Sequence, residues 1–361
     1  MQRKLLFYIN AIHEGGAERV ILQLAKHFSE VGYESILVTS FVDQNEYEVP
    51  KGVKRLSIEK EQLNQNIVIR NWNRVKALRK IIKLEKPDAT ISFMAEPNAR
   101  NIIACMGLKT KAITSVRNDP NIEYSGLLGA MIGKFLLPLS SGCVFQTKDA
   151  MMWFPKRLQK KGQIIFNDVD KVFFETKYVG GKSIVTLGRL NPQKNQMLLI
   201  QAFQKIADKY PDVELHIYGT GELEKQLYSF IRDLGLEKRI HLDGLTKNSA
   251  HVLSTAKVFV LSSDYEGMPN ALLEALAVGV PSISTDCPCG GPKTVIINGE
   301  NGILVPVGNP EALAEALNQV LSNQEYADRL ANNAKKQSKM FDTEVVFKQW
   351  KDYIDKVIAR R

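Results

Sequence analysis

Short apolar runs alternate with longer amphipathic stretches along the whole chain. The short runs, such as Leu5-Leu6-Phe7-Tyr8-Ile9, have the length and composition of buried strands. The stretches between them have the length and apolar spacing of helices. This alternation predicts the α/β class, with parallel sheets.

The predicted elements form two series. The first has strands at residues 4–10, 34–40, 88–93, 111–116 and 143–146, and helices at 16–31, 67–85, 97–105, 125–137 and 148–154. The second has strands at 183–188, 213–218, 240–242, 258–261 and 280–285, and helices at 194–209, 222–234, 248–256 and 270–278. Residues 311–321 and 323–339 are predicted as two further helices.

The length of 361 residues suits two domains of ordinary size. Asn167-Asp168-Val169-Asp170 leads into Gly180-Gly181, which places the predicted boundary near residues 167–182. The two domains are therefore predicted at 1–170 and 171–342.

Composition places the chain among soluble globular proteins, with 44% hydrophobic and 24% charged residues. No apolar run approaches the ~20 residues that span a bilayer, and the first run lacks the cleavage site of a signal peptide. The four cysteines do not form a disulfide framework, and Cys287-Pro288-Cys289 lacks the second pair of a zinc site. We expect a cytoplasmic protein with reduced thiols.

The segment from Glu266 to Glu274 carries two acids eight residues apart where a loop turns into a helix. The helix begins near Pro269, and its first amides, at 268–271, form an anion site. Glu274 lies one turn inside an apolar helix and needs a polar partner, which the hydroxyls of a ribose would supply. These features indicate a nucleotide-sugar site. The alternative is a helix cap with a surface ion pair.

A second candidate segment follows the predicted strand at 183–188. A turn with Asn191-Pro192 leads to a helix from about Gln193, and Arg189 and Lys194 lie just beyond the strand. Open α/β sheets bind ligands at this end of their strands, and both side chains suit phosphate oxygens. The alternative is a solvated basic surface.

Several motifs now resemble one family. They are Gly-Gly-Ala-Glu-Arg at 15–19, Gly188-Arg189 with Lys194, Tyr218-Gly219-Thr220-Gly221, and the two glutamates eight residues apart. In this order they resemble the family-four retaining glycosyltransferases of the GT-B fold. The strings at 116–120 and 286–292 look most like bacterial members that build capsule, lipopolysaccharide or other surface glycans.

The resemblance implies two Rossmann-like domains that face a cleft. Residues 1–170 would form the acceptor side, 171–342 the nucleotide-sugar side, and the last helix in 343–361 would return to the first domain. The expected donor is a nucleotide sugar, with UDP the nucleotide by family habit, and the expected product is a hexosyl or N-acetylhexosaminyl glycan.

The resemblance also implies roles for the motif residues. Arg189 and Lys194 would hold the diphosphate, Glu274 the ribose and Glu266 the donor sugar. The remaining donor-binding candidates are Gly15, Gly16, Gly219, Gly221, Met268, Pro269, Asn270 and Ala271. For Gly15-Gly16 the alternative is a turn into a helix, and Gly219-x-Gly221 lacks the third glycine of a dinucleotide fingerprint.

One position departs from the family. Many members carry a histidine after the strand that corresponds to 111–116, and this chain has Arg117-Asn118-Asp119-Pro120 there. We expect Asp119 to orient or deprotonate the acceptor, Arg117 and Asn118 to lie on the acceptor side, and His13 to be a further candidate. The alternative is that Asp119-Pro120 only starts a turn. A front-face retaining reaction needs no strong enzymic base.

Metal dependence is not expected. Asp168-Val169-Asp170 matches the metal-binding Asp-x-Asp of a different glycosyltransferase fold, but it lies in the predicted linker. Arg189 and Lys194 already supply the positive charge that a metal would. We predict activity without a metal or other cofactor.

The net charge of +9 lies entirely in the first half, where residues 1–177 hold 27 basic and 18 acidic residues. The segment 67–86 is basic and amphipathic, and 127–137 is strongly apolar. Together they predict docking on an anionic membrane to reach a glycan or polyprenyl-linked acceptor. The alternative is a pair of core helices with solvated faces.

Two other functions compete with the transferase. One is a GT-B nucleotide-sugar epimerase, and the other is a non-catalytic nucleotide-binding interaction protein. A nucleic-acid binder is not expected, since no recognition motif is present and aromatic residues do not interleave with the basic ones.

Overall fold

The computed structural model describes residues 2–13, 15–44, 46–60 and 66–360. They form two compact units. Unit 1 contains the described residues up to Asn167 and those from Glu344 onward, and unit 2 is Asp168–Thr343. All pairings between named strands are parallel.

Unit 1 is built on a seven-stranded sheet of order β3-β2-β1-β4-β5-β6-β7. Its strands are β1 Lys4–Ile9, β2 Glu34–Thr39, β3 Val53–Ser57, β4 Ala89–Phe93, β5 Lys111–Ser115, β6 Gly142–Phe145 and β7 Gly162–Ile164. Its helices are α1 Gly16–Glu30, α2 Ile67–Glu85, α3 Ala95–Cys105, α4 Pro120–Glu123, α5 Gly126–Met131, α6 Lys148–Trp153 and α7 Lys156–Gln159.

Unit 2 is built on a six-stranded sheet of order β10-β9-β8-β11-β12-β13. Its strands are β8 Ser183–Leu187, β9 Leu215–Tyr218, β10 Ile240–Gly244, β11 Ala256–Leu261, β12 Ser282–Thr285 and β13 Ile303–Val305. Its helices are α8 Lys171–Glu175, α9 Gln196–Ala207, α10 Glu224–Asp233, α11 Ser249–Ser254, α12 Asn270–Val278, α13 Gly291–Val295, α14 Pro310–Ser322 and α15 Gln324–Gln337. A final helix, α16, spans Thr343–Ala359.

Strand β1 is almost continuously apolar because both faces of the sheet are covered there. In β1, Leu5 and Phe7 pack in a core that includes α1, whereas Leu6 and Tyr8 pack in a second core that includes α2. This division follows the two-residue repeat of a strand. Because the paired strands are all parallel, the loops that follow them lie at one edge of each sheet.

Helix α16 packs on unit 1 through Trp350, Tyr353, Ile354 and Val357, which belong to the same core as β1. The Tyr353 hydroxyl donates to the carbonyl of Lys161 at 2.6 Å. This polar bond and the apolar face fix the last helix against the sheet of unit 1.

Short elements of three to five residues were not predicted from the sequence, namely β3, β7, β13, α4, α7, α8 and α13. The helix predicted at 125–137 is interrupted, since α5 ends at Met131 and a π-helical turn, Ile132–Leu136, and a 3-10 turn, Leu137–Leu139, follow. Pro138 in that last turn lacks the N–H that a continuing helix needs.

The helix predicted from about Gln193 is also wrong at its start. Pro192–Lys194 is a 3-10 turn, and α9 begins at Gln196. Asn195 separates them with a left-handed backbone (φ 42°), and its side chain accepts from the amide of Leu198. Asparagine tolerates this conformation and caps helices, and so it ends one turn and starts the next.

Candidate functional site

The loops after β8 and β11 are the centre of the candidate site in unit 2. The two strands are neighbours in the sheet, and the loops are joined by hydrogen bonds. The amide of Asp264 donates to the carbonyl of Gln193 at 2.9 Å, and the hydroxyl of Ser262 donates to the carbonyl of Lys194 at 2.9 Å. The side-chain amide of Asn195 donates to Asp264 Oδ1 at 2.7 Å. These bonds fix one loop against the other.

Lys194 and Glu266 form an ion pair between these loops, with Nζ 2.5 Å from Oε1. Their side chains are 18% and 7% exposed. The hydroxyl of Ser263 also donates to Glu266 Oε1, at 2.7 Å. A lysine ammonium has three donors, so two remain for a ligand. The pair therefore places an acid that can accept from a sugar beside a cation that can hold a phosphate.

Arg189 lies on the same loop as Lys194 and is exposed. No described acidic side chain forms an ion pair with it. The carbonyl of Arg189 accepts from the side chain of Gln196 at 2.9 Å, which fixes its backbone while the guanidinium stays in solvent. Arg189 is therefore available to an anionic ligand.

Helix α12 begins where the Glu266 loop ends. Its N-cap is Pro269, whose side chain cannot accept a hydrogen bond, and its first turn contains no acidic residue. The first amides of a helix have no partner within the helix and carry the positive end of its dipole. Glu274 lies one turn further and is 6% exposed, and Gly279 ends the helix with φ 88°. The helix start and the buried position of Glu274 agree with the sequence prediction, while anion binding at the first amides and ribose binding by Glu274 stay predictions.

The glycines of unit 2 permit close contact between loops. A Cβ at Gly219, whose φ is 139°, would overlap the carbonyl oxygen of Gly188, and one at Gly221 would overlap that of Leu190. The amide of Leu190 donates to the carbonyl of Thr220 at 2.9 Å. These contacts explain the Gly-x-Gly spacing by the packing of the loop after β9 on the loop after β8. Contact of these glycines with a nucleotide stays a prediction.

Gly291 and Cys287 pack around the Glu266 loop from the segment after β12. A Cβ at Gly291 would overlap the carbonyl oxygen of Gly267. Burial raises the pKa of the Cys287 thiol to about 12, and the negative charge of Glu266 adds to that shift. The thiol therefore stays protonated and does not act as a nucleophile.

In unit 1, Gly15 is the N-cap of α1, and Gly16 is the first residue of that helix. A Cβ at Gly15 would overlap the carboxylate of Glu18, whose other oxygen lies 3.3 Å from His13 Nε2. The acid of the Gly-Gly-Ala-Glu-Arg motif thus lies over the start of the helix, where negative charge is favourable. This role of Glu18 was not predicted from the sequence.

Arg117 is 7% exposed and lies over the ring of Phe93, with Cζ 4.4 Å from the centroid. Its Nη2 donates to the side-chain oxygen of Asn167. Phe93 in turn stacks on Trp350 of α16, with centroids 6.0 Å apart. Arg117 is therefore held by an aromatic face and an amide.

Asp119 is 3% exposed and is the N-cap of α4. Its Oδ1 accepts from the backbone amide of Asn121 at 2.9 Å and from the side-chain amide of the same residue at 3.1 Å. Asn118 Oδ1 accepts from the amide of Asp119 at 2.9 Å. This geometry supports the turn alternative, while an acceptor-side role for these residues stays a prediction.

Glu123 is a buried acid in the same loop that sequence analysis did not select. Its Oε2 accepts from the amide of Asn118 at 3.3 Å, whereas its Oε1 has no hydrogen-bond partner among the described atoms. Burial raises the pKa of Glu123 to about 8. A glutamate three residues after a proline is common in the first turn of a helix, so the sequence carried no signal of this shift.

Comparison with known proteins finds glycosyltransferases similar to this chain. Residues 169–337 match the family model "Glycosyl transferases group 1". A Campylobacter jejuni relative is 28% identical over 369 residues, which cover 98% of this chain and 99% of the relative. It is named as an alpha-1,4-N-acetyl-D-galactosaminyltransferase that acts on GalNAc-alpha-(1->4)-GalNAc-alpha-(1->3)-diNAcBac-PP-undecaprenol.

Two solved structures share the fold. An Anabaena protein, HepE, in complex with UDP and glucose, has a TM-score of 0.81 and 16% identity, with 98% of this chain and 100% of that one covered. A sucrose-phosphate synthase from Thermosynechococcus elongatus has a TM-score of 0.85 and 17% identity, with 99% and 100% covered. The chain is a glycosyltransferase of the GT-B fold.

The glycosyltransferase thus carries its family segment on unit 2, which contains the Lys194–Glu266 pair, Arg189 and the start of α12. The sequence motifs predicted each of these, but not Ser263 and Asp264, which support the pair. Over the described part of the chain, no helix combines the length and apolar character needed to cross a membrane.

Proposed function

We propose that this glycosyltransferase transfers a hexose or N-acetylhexosamine, with retention, from a UDP-sugar to a glycan or lipid-linked glycan in cell-surface polysaccharide synthesis. The Lys194–Glu266 pair beside the start of α12 is the observation that supports this most. The Lys194 ammonium can bind a phosphate, and the Glu266 carboxylate in contact with it can accept hydrogen bonds from sugar hydroxyls. A donor in which a sugar is joined to a diphosphate needs both groups side by side.

Each group has a step in the proposed reaction. The bond between the anomeric carbon and the β-phosphate oxygen breaks, and Lys194, Arg189 and the amides at the start of α12 stabilise the departing diphosphate. The acceptor oxygen forms its bond on the same face, and its proton passes to the departing phosphate oxygen. Glu266 orients the sugar through its hydroxyls, and Glu274 accepts from the ribose.

The proposed reaction does not depend on a metal. In unit 2, Asp168 Oδ2 accepts from the hydroxyl of Thr343 at 3.1 Å, and Asp170 caps α8 by accepting from the amide of Val172 at 3.0 Å. Both acids of the Asp-x-Asp string therefore have structural partners, which supports the expectation that Lys194 and Arg189 carry the charge neutralisation.

The acceptor proposal rests on unit 1 and on the relatives. The relative from Campylobacter jejuni is named for an undecaprenol-linked acceptor. Unit 1 exposes a strongly apolar surface at α5 and the turn after it, with Leu127, Leu128 and Phe135 exposed by 83%, 72% and 71%. The first two turns of α2 add Val68 at 72% and Trp72 at 55%. An exposed apolar surface on a basic half suits the anionic inner face of a cell membrane.

The membrane proposal has a direct test. Wild type should pellet with anionic vesicles at low salt, and Leu128→Asp should reduce the bound fraction about tenfold because a charge replaces the side chain that enters the lipid. Leu245→Asp is the matched control, since Leu245 is 66% exposed in unit 2. Equal binding of the two variants, or no binding of wild type, would contradict docking through α5.

A turnover assay tests the reaction itself. The protein is incubated in excess EDTA with UDP-linked hexoses and N-acetylhexosamines and with polyprenyl-linked or soluble glycans, and the released UDP and the anomeric configuration of the product are measured. UDP release with an α-linked product from an α-linked donor supports the proposal. Loss of turnover in EDTA rules out metal independence, an inverted product rules out retention, and a new sugar nucleotide without acceptor indicates the epimerase.

A further inference from the structure

A cluster of two histidines and two acids lies on the edge strand pair of unit 2, away from the Lys194–Glu266 pair. His216 on β9 and His241 on β10 are direct partners in the parallel register. Because side chains alternate along a strand, Glu214 shares the face of His216. The register of the two strands shifts between Leu242 and Gly244, and the carboxylate of Asp243 at this irregularity lies beside His216. The strand order places β8 between this pair and β11, which leads to the Glu266 loop.

The opposite face of the same two strands is core. Leu215, Ile217 and Ile240 alternate with the polar residues and pack in the apolar interior of unit 2. The polar set is partly exposed, at 49% for the side chain of Glu214, 21% for His216 and 35% for His241. The cluster is therefore anchored by a rigid sheet and open to ions from solvent.

The distances within the cluster are those of a shared ligand sphere. Glu214 Oε2 lies 3.3 Å from His216 Nε2 and 3.4 Å from His241 Nε2. One ligand atom from each of the three residues falls within 4.8 Å of the other two. Two ligands about 2.0–2.1 Å from a tetrahedral zinc ion are about 3.3 Å apart. The acid and each imidazole thus already have the required separation.

Asp243 provides the outer support that metal-binding histidines usually have. Its Oδ2 lies 3.0 Å from His216 Nδ1, the nitrogen that faces away from Glu214. Such a carboxylate fixes the ring orientation and leaves Nε2 to the metal. His241 Nε2 is buried and has no hydrogen bond to any described atom, although Glu214 lies nearby. The two rings stack with centroids 4.8 Å apart.

We propose that Glu214, His216 and His241 bind a divalent transition metal ion, with zinc the best match, and that Asp243 positions His216. Two imidazoles and one carboxylate favour zinc over magnesium or calcium, which prefer oxygen ligands only. Three protein ligands leave the fourth position for water or another ligand. The ion would link β10, an outer strand of the sheet, to β9, and would have no part in sugar transfer.

Zinc titration of the 361-residue protein tests the site. The protein is first treated with a chelator to remove bound metal, and the chelator is then removed by gel filtration. Calorimetry should show one site, and Co²⁺ should give the visible absorption of a tetrahedral ion. His241→Ala should weaken zinc binding at least 100-fold. Asp243→Asn, which keeps the shape of the side chain, should weaken it by about 10–100-fold because it loosens His216. His251→Ala removes an exposed histidine of α11 and should leave the affinity unchanged.

Thermal unfolding gives a second readout. Zinc at about 100 times its Kd should raise the Tm of wild type and of His251→Ala by about 5–10 °C, and should leave His241→Ala unshifted. Equal zinc affinity in wild type and His241→Ala, or no Co²⁺ absorption in wild type, would overturn the proposal. UDP affinity should not change with zinc, so failure of this site is distinct from failure of the donor site.

Discussion

The two units use their acids differently. In unit 2, Glu266 pairs with Lys194 from the loop after another strand, and the pair is largely buried. In unit 1, Asp119 accepts from Asn121 two residues along its own chain. The first arrangement costs desolvation and fixes two loops together, whereas the second only starts a helix. The contrast supports the proposed donor chemistry of Glu266 in unit 2 and a helix cap at Asp119 in unit 1, and the variants below test both.

Loss of the Glu266 carboxylate should have the largest effect. Glu266→Gln removes the partner of Lys194 and the proposed contact with the donor sugar, and we expect turnover to fall by about 100–1,000-fold. Unpairing a buried cation should also lower the free energy of unfolding by about 3 kcal/mol. Initial rates and denaturant unfolding measure both effects.

An exposed ion pair of the same unit provides the control for that variant. Glu311 pairs with Lys205 at 2.8 Å, with side chains 69% and 43% exposed. Exposed pairs contribute little, so Glu311→Gln should leave turnover and stability near wild type. Equal losses in Glu311→Gln and Glu266→Gln would contradict a special role for the buried pair.

Gly219→Ala should be the next largest change. The new Cβ would overlap the carbonyl oxygen of Gly188 at a backbone angle that disfavours side chains, and we expect a loss of about 2–3 kcal/mol in the free energy of unfolding. Gly235→Ala is the matched control, since Gly235 also has a positive φ, 67°, but no atom within 4 Å of a Cβ. It should cost about 1 kcal/mol. Similar losses would show that close loop packing is not the reason for the glycine.

Glu123 should make unit 1 less stable as the pH rises. Its pKa is about 8 in the folded protein and near 4.5 unfolded, so the unfolded state loses this proton first. The contribution of protonated Glu123 to the free energy of unfolding is fully present below pH 4.5 and is lost as the pH rises from 4.5 to 8. The Tm of Glu123→Gln minus that of wild type should therefore grow across this interval, to several degrees. A constant difference would show that Glu123 does not titrate there.

The smallest effect is expected at Asp119, and it separates the cap from the catalytic hypothesis. Asp119→Asn keeps an oxygen that accepts from the amide of Asn121, so a cap alone predicts unchanged turnover, and Asp119→Ala should cost about 1 kcal/mol in stability. A catalytic or orienting carboxylate predicts that Asn and Ala both lower turnover strongly. Steady-state rates with unfolding curves for both variants distinguish the two.

The fold could be predicted because both series of apolar strands and helices are regular. Of the thirteen strands in the described residues, ten had clear signals. Short strands such as β13 carry too few residues for a period to show. The positions of Arg189, Lys194, Glu266 and Glu274 followed from motifs that adjoin strand or helix ends. The links between segments far apart in the chain, such as the Lys194–Glu266 pair and the His216–His241 pair, depend on strand order. A single sequence does not state that order.

Calorimetric titration of UDP in EDTA, on wild type and on Glu274→Ala, tests the central claim most directly. Glu274 is 6% exposed in α12, and loss of a carboxylate that accepts from ribose hydroxyls should cost about 1.5–3 kcal/mol, or at least tenfold in Kd. GDP and NAD titrations show whether the nucleotide is specific. Tight UDP binding that weakens in the variant is the result we predict. No UDP binding by wild type, or equal binding by both proteins, would contradict the donor site in unit 2.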